Sequence, residues 1–215
     1  MKRVVYLILV SLLVFTSCKK SNNPIDTNDY TPPPVTYSGK VYQTVKIGSQ
    51  VWMKENLDIG DMIVDNLNQT DDGRVEKYCY NNDAANCSKY GGLYQWNETM
   101  AYDTTNRLKG ICPDGWHIPT KAEFLTLIEN VNNNGNALKA IGVGTGSGAG
   151  TNTSGFSALL GGMWYNSRYF YGRDYNATFR NSTGYGSLNV YMDSSDININ
   201  DAGKNYGFSV RCIKD

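Results

Sequence analysis

The feature that most limits what this chain can fold into lies at its start. Lys2 and Arg3 precede an apolar stretch from Val4 to Phe15, which ends at Thr16-Ser17-Cys18. Basic residues, an apolar run and small residues in that order make a secretory signal peptide over residues 1–17. About a dozen apolar residues fall short of the roughly 20 that a spanning helix needs, so the segment is processed and does not stay in the bilayer. The remainder therefore folds after export, in an oxidising compartment, which decides how its cysteines are used. Beyond Cys18 stand Cys79, Cys87, Cys112 and Cys212. An even number reads as two disulfides. The preferred pairing is Cys79 with Cys87, a local staple, and Cys112 with Cys212, tying the middle of the domain to its last strand. No Cys-x-x-Cys occurs and His117 has no partner histidine, so a zinc centre is not indicated.

Small residues just before a cysteine resemble the lipobox of bacterial lipoproteins, which implies acylation at Cys18. Acyl chains at about 0.8 kcal/mol per buried methylene would hold the protein on a membrane without a transmembrane helix. The polar, Pro-bearing segment through Pro32-Pro33-Pro34 cannot bury enough apolar surface to fold and reads as a tether over residues 18–36. The expected location is the cell envelope, as an outer-membrane lipoprotein. Lys19 and Lys20 are not the acidic run expected of a surface-export signal, so the membrane face stays open. Loss of Lys2 and Arg3 leaves 18 Lys+Arg against 20 Asp+Glu, a formal charge near −2. That balance offers no basic face for nucleic acid.

Residues 37–215 are enough for one domain with its own core. Val41 to Ile47 alternates as a strand, and Gly48-Ser49-Gln50 turns it into Val51-Trp52-Met53, an opening hairpin. Thr120 and Glu123 stand at capping-box spacing, and Phe124, Leu127, Ile128 and Val131 share one helical face, which predicts one main helix near 120–131. A second short helix is expected over 136–141. The alternating glycines of 142–155 match no phosphate-binding pattern and read as a flexible surface loop. Phe156 to Leu160, the aromatic run through Tyr175, Asn189 to Met192 and Tyr206 to Ile213 read as short strands. Strands, then a helix, then strands is an α+β layout.

Several strings then become recognisable together: Val45 to Met53 followed by Glu55-Asn56-Leu57, Tyr90-Gly91 to Trp96, Cys112 to Thr120, Gly155 to Leu159, and Gly207 to Cys212. Over nearly all of 41–215 they resemble the Fibrobacter succinogenes major paralogous domain family. The resemblance implies a secreted or lipid-anchored protein of Bacteroidetes or Fibrobacteres type, from a family whose biochemical role is largely unassigned. Where that family usually has Phe-Trp-Ser-Ser, this chain reads Phe179-Arg180-Asn181-Ser182-Thr183, so no role of that Trp is carried over. Gly115 to Thr120 with Glu123-Phe124, Gly161 to Trp164 and Gly207 to Arg211 are also similar to the formylglycine-generating enzyme/sulfatase-modifying-factor domain. That similarity implies a C-type-lectin-like fold: an irregular antiparallel sheet, a helix packed at its side, chain ends close together, and a topology suited to a Cys112–Cys212 bridge.

Three groups of residues are candidates for function. Trp164, Tyr165, Tyr169, Phe170, Tyr171 and Tyr175 carry flat rings with polar edges, suited to stacking on a glycan or anchoring an envelope protein. Trp52, Trp96 and Trp116 read as core. Asp193, Asp196, Asn198, Asn200 and Asp201 offer oxygen ligands of the kind calcium takes, without the spacing of a known calcium loop; a solvated turn is the plainer reading. His117 has no accompanying nucleophile pattern and reads as a hydrogen-bonded structural residue. Asp103-Thr104-Thr105 is similar to a short O-glycosylation signal. The leading expectation is a non-enzymatic lipoprotein displaying a glycan- or protein-binding domain. The alternatives are an enzyme related to formylglycine generation, which would need reactive thiols, and a structural subunit of a surface assembly.

Overall fold

The computed structural model describes residues 31–103, 105, 108–165 and 169–215. The signal peptide, Cys18 and the tether as far as residue 30 lie outside the described residues, as does Thr104 of the glycosylation signal. Among the described residues no helix is long and apolar enough to cross a membrane. The domain is α+β, with strands in the majority.

Pairing starts earlier than composition suggested. Strand β1 (Val35–Tyr37) pairs with β2 (Lys40–Tyr42) around Ser38 and Gly39, so Val35 and Thr36 belong to a strand and not to the tether. The expected hairpin follows as β3 (Thr44–Ile47) and β4 (Gln50–Met53). Its register joins Ile47 to Gln50, which puts Gln50 in the strand and leaves Gly48-Ser49 as a two-residue turn. Gly48 has φ 60° there, the left-handed value such turns require at their first position. β4 continues antiparallel to β15 (Ile213–Lys214), which pairs with β8 (Trp116–His117), so the first and last parts of the domain meet in one four-stranded sheet.

The larger sheet has nine strands among the described residues. Its path runs β10 (Tyr169–Arg173), β9 (Gly161–Tyr165), β11 (Asn176–Arg180), β14 (Phe208–Ser209), β7 (Leu93–Tyr94), β6 (Glu76–Tyr78) and β5 (Asp61–Ile63). β12 (Gly186–Tyr191) pairs with β11 and carries β13 (Ile197–Asp201) on its far side. The sheet is mixed and not antiparallel as expected: β5 with β6, β9 with β11, and β11 with β14 run parallel. Two of these pairs meet at a single register position, Ala177 with Gly162 and Phe179 with Ser209. Side-chain alternation sets which face a strand buries but says nothing of its partner's direction, so such pairings leave no periodic trace.

Helix α1 (Ala84–Tyr90) is capped by Asp83, whose side chain accepts from the Ala85 N–H, and α2 (Trp96–Thr99) is a single turn. Tyr90 to Asn97 thus holds a helix end, a strand and a helix start. The main helix α3 (Lys121–Asn130) begins where the capping box placed it: the Thr120 hydroxyl accepts from the Glu123 N–H while the Glu123 carboxylate accepts from the Thr120 N–H. The chain turns away after it at Asn132 and Asn133, both with positive φ. The second helix, α4 (Gly135–Leu138), is capped by Asn134 and stops three residues short of Ile141, because Lys139 turns away to bridge Ala158. Phe156 to Leu160 contributes only that bridge and is no strand. The glycine-rich stretch is less free than expected. Thr145 N–H donates to Met192 O, Gly150 N–H to Val143 O and Thr151 N–H to Asn136 O, and Gly148 is buried.

Helix α3 buries Phe124, Leu127 and Ile128 against the core. Trp52 stacks on Phe124 with centroids 5.6 Å apart, and Phe156 meets both Trp52 and Phe179 edge-on. Truncating one of these rings would cost about 3–5 kcal/mol. A second cluster around Met53, Leu57, Tyr94 and Ile118 encloses the Cys112–Cys212 disulfide. Tyr78, Leu93 and Trp164 make a third.

Candidate functional site

Alternation along β9 and β10 divides the aromatic run between two faces. The register sets Tyr169 opposite Tyr165 and Tyr171 opposite Met163 on one face, and Phe170 opposite Trp164 on the other. Trp164 is 1 % exposed, stacks on Tyr78 at 4.4 Å and donates from Nε1 to Asp65 O at 3.3 Å. It belongs to the core, which corrects its place among the ligand candidates; Phe170 packs beside it against Tyr80. The opposite face is open: Tyr169 is 46 % exposed, Tyr171 59 % and Tyr175, in the turn after β10, 66 %. Gly162 permits the arrangement, since a Cβ there would lie 2.5 Å from both Tyr171 O and Arg173 N. β10 ends the sheet path, so the tyrosines sit on a sheet edge.

Three rings absent from the sequence candidates extend this surface. Tyr206 stacks on half-buried Tyr165 with centroids 4.8 Å apart, and the hydrogen bond between their hydroxyls holds the Tyr206 phenol above its ordinary pKa. Tyr185 stands 42 % exposed, edge-on to Trp96 at 4.8 Å; Trp96, expected as core, packs half-buried against the second cluster beneath this surface ring. Tyr185 has φ 60° in the turn joining β11 to β12, a costly conformation for a bulky residue. The signal for both tyrosines was their place in the Gly-Tyr-Gly and Asn-Tyr-Gly turns, which favour exposure, but turn chemistry does not say which ring finds a partner.

Beneath this turn the polar groups are incompletely matched. Arg180 is fully buried over the Phe208 ring at 4.0 Å and donates to Tyr185 O and Tyr206 O, yet its Nε has no partner. Among the described residues Asn181 Nδ2 and Trp96 Nε1 are also buried donors without acceptors. Glu98 in α2 is 2 % exposed and accepts from the Glu76 N–H and the Tyr102 hydroxyl, each at 3.1 Å; burial, helped by the nearby carboxyls of Glu76 and Asp72, pushes its pKa up to about 7.

A separate cleft of about 440 Å³ is lined by residues of β2, the segment after β4, α1 and Arg211. Arg211, 1 % exposed, lines it, stacked over Phe156 at 4.2 Å and Phe179 at 5.0 Å. Its Nε and Nη2 donate to Asn56 Oδ1 at 3.0 and 2.7 Å and its Nη1 to Phe156 O. Burial pulls Arg211 down to about 9, which leaves it charged at neutral pH. Lys40 and Lys77 both bind Asp58 nearby and hold its carboxyl below the usual range against the opposing effect of burial.

The remaining candidates fall into structural positions. Cys79 is bonded to Cys87 and Cys112 to Cys212, the pairing preferred from sequence. His117 is bracketed by Glu123 Oε1 on Nε2 at 2.8 Å and Asp215 Oδ1 on Nδ1 at 2.7 Å, and the Glu123 bond, with that of Asp215, raises its pKa over the opposing effect of burial. It joins β8, the helix cap and the C-terminal residue. The oxygen-rich segment is not drawn together: Asp193 and Asp196 lie in the turn before β13 while Asp201 ends that strand, and five residues of strand separate Asp196 from Asp201 by about 16 Å. Asn198 lies within hydrogen-bond reach of the Tyr191 hydroxyl. Among the described residues no group of three or more His, Cys, Asp or Glu is placed to hold a metal ion.

A family model described as the Fibrobacter succinogenes major domain matches residues 45–214. No curated protein and no solved structure matches the chain.

Proposed function

Since this chain belongs to the Fibrobacter succinogenes major domain family, we propose that it is a non-enzymatic cell-envelope lipoprotein, anchored through Cys18, whose C-type-lectin-like domain binds a glycan or an envelope protein. The observation that carries the reading is the open tyrosine face of the β9–β10 hairpin, with Tyr169 and Tyr171 side by side on a sheet edge. Rings held by a strand stack on a sugar or a partner at little entropic cost. The lectin-like assignment draws support from α3 packed beside a mixed sheet and from β4 pairing with β15, which brings the ends of the domain together. Against thiol chemistry of the formylglycine-generating kind, all four cysteines of the described residues are tied up in disulfides.

The test uses the full chain purified in detergent, screened on a glycan array and by pull-down from envelope extracts. A ligand is expected whose binding falls at least about tenfold in the Tyr169→Ala/Tyr171→Ala double variant, as for loss of aromatic anchors. A ligand retained at full affinity by that variant, or no ligand in either screen, removes the reading.

A further inference from the structure

We propose that the Arg211 cleft is a second binding site, for an acidic sugar bearing a carboxylate or a sulfate. The cleft shares no residue with the tyrosine face. Arg211 is a fully buried cation whose hydrogen-bond partners among the described residues are neutral oxygens, Asn56 Oδ1 and Phe156 O. The Glu55 carboxylate acts on it without forming an ion pair; a buried charge lacking a directly bonded counter-charge is costly, and an anion in the adjoining space offsets that cost. Lys54 also lines the cleft, and among the described residues its ammonium has no hydrogen bond or ion pair. The acidic groups there do not cancel this charge: Lys40, Lys54, Lys89 and Arg211 line the cleft against only Glu55 and Asp58, and Asp58 is engaged by two lysines. A chain of near-neutral balance thus concentrates positive charge around one concavity.

The rest of the lining selects among anions. Val41 and Leu159 supply an apolar wall. A bare inorganic anion would use the charge and leave that wall uncovered, whereas a sugar ring covers it and presents hydroxyls to the polar rim. The volume of about 440 Å³ lies within the range of small-ligand pockets.

Isothermal titration of the full chain in detergent decides the matter, with four probes: trigalacturonate, a sulfated chondroitin disaccharide, neutral maltotriose and pentaglutamate. At least one acidic sugar is expected to bind, and which one tells carboxylate from sulfate. Lys54→Glu should weaken it at least about tenfold, as reversal of a contacting charge does, while Tyr171→Ala leaves it unchanged. Lys54 reaches solvent and its ammonium holds no partner among the described residues, so this variant should fold; Arg211→Lys, which keeps the charge and loses the fork, serves as a second probe and should also weaken binding. The proposal fails if neither acidic sugar binds at millimolar concentration, if Lys54→Glu binds as tightly as the parent, if maltotriose binds equally well, or if pentaglutamate matches the sugars.

Discussion

The helix side and the rim of the large sheet are built from similar residues and treat them in opposite ways. At the start of α3 the polar groups are matched: Thr120 and Glu123 exchange hydrogen bonds, His117 is held at both ring nitrogens, and Cys112, just before β8, is bonded to Cys212. Around α2 and the β11–β12 turn, Trp96 Nε1, Arg180 Nε and Asn181 Nδ2 lack acceptors, Glu98 is buried with a raised pKa, Tyr185 has a left-handed backbone, and tyrosines face solvent. Local consistency marks regions that specify the fold, and departures from it gather where a surface has another task. Substitutions on the helix side should therefore destabilise, whereas selected ones on the rim should be neutral or stabilising.

The largest expected effect separates the two cross-links. Cys112–Cys212 closes a separation of 100 residues and Cys79–Cys87 one of 8. On the loop-entropy model the first contributes about 4.7 kcal/mol and the second about 2.5 kcal/mol. Urea unfolding of the full chain should show Cys112→Ala/Cys212→Ala losing markedly more than Cys79→Ala/Cys87→Ala. Equal losses would mean that packing and not chain closure sets their value, and the helix side would lose its special standing.

How far the sequence foretold these regions follows from the range of the interactions. The α3 capping box, the β3–β4 turn and the disulfide pairing rest on local spacing or on cysteine chemistry, and each is present. The aromatic run was visible as a run, but its division into core Trp164 and open Tyr171 depends on the β9–β10 register, which only the folded sheet fixes. Arg211 and Asn56 meet across 155 residues, so nothing near either marks the cleft. The pairing of Tyr165 with Tyr206 is equally non-local.

Next in size is a gain. Glu98 has a folded pKa of about 7 against an ordinary 4.5, so the folded state binds its proton more tightly than the unfolded chain. Its contribution is most favourable below pH 4.5 and is lost as pH rises to about 7, a penalty of at most about 3 kcal/mol. Glu98→Gln keeps an oxygen for the Glu76 N–H and carries no charge. It should raise stability at pH 8 and have little effect at pH 4, as read from urea midpoints. His117 works in the same direction from the helix side: its raised pKa means that its ion-pair contribution, complete below the unfolded value of about 6.5, fades as pH rises through the folded one. Some loss of stability toward alkaline pH should therefore persist in Glu98→Gln. A fully flat profile would show that His117 contributes nothing.

The smallest expected effect examines the helix side at its most legible point. Thr120→Ala removes the hydroxyl that accepts from the Glu123 N–H and donates to Glu123 Oε2, which costs about 1 kcal/mol for a helix cap. Glu123 would still accept from the Thr120-position backbone N–H and from His117, because Oε2 and Oε1 serve those separately. The loss should therefore stay near one cap's value and be recovered by Thr120→Ser, which restores the hydroxyl. A loss several times larger, unrecovered by serine, would mean that the threonine methyl or the His117–Glu123–Asp215 bracket carries the junction of β8, α3 and the chain end, and that the matched hydrogen bonds only accompany it.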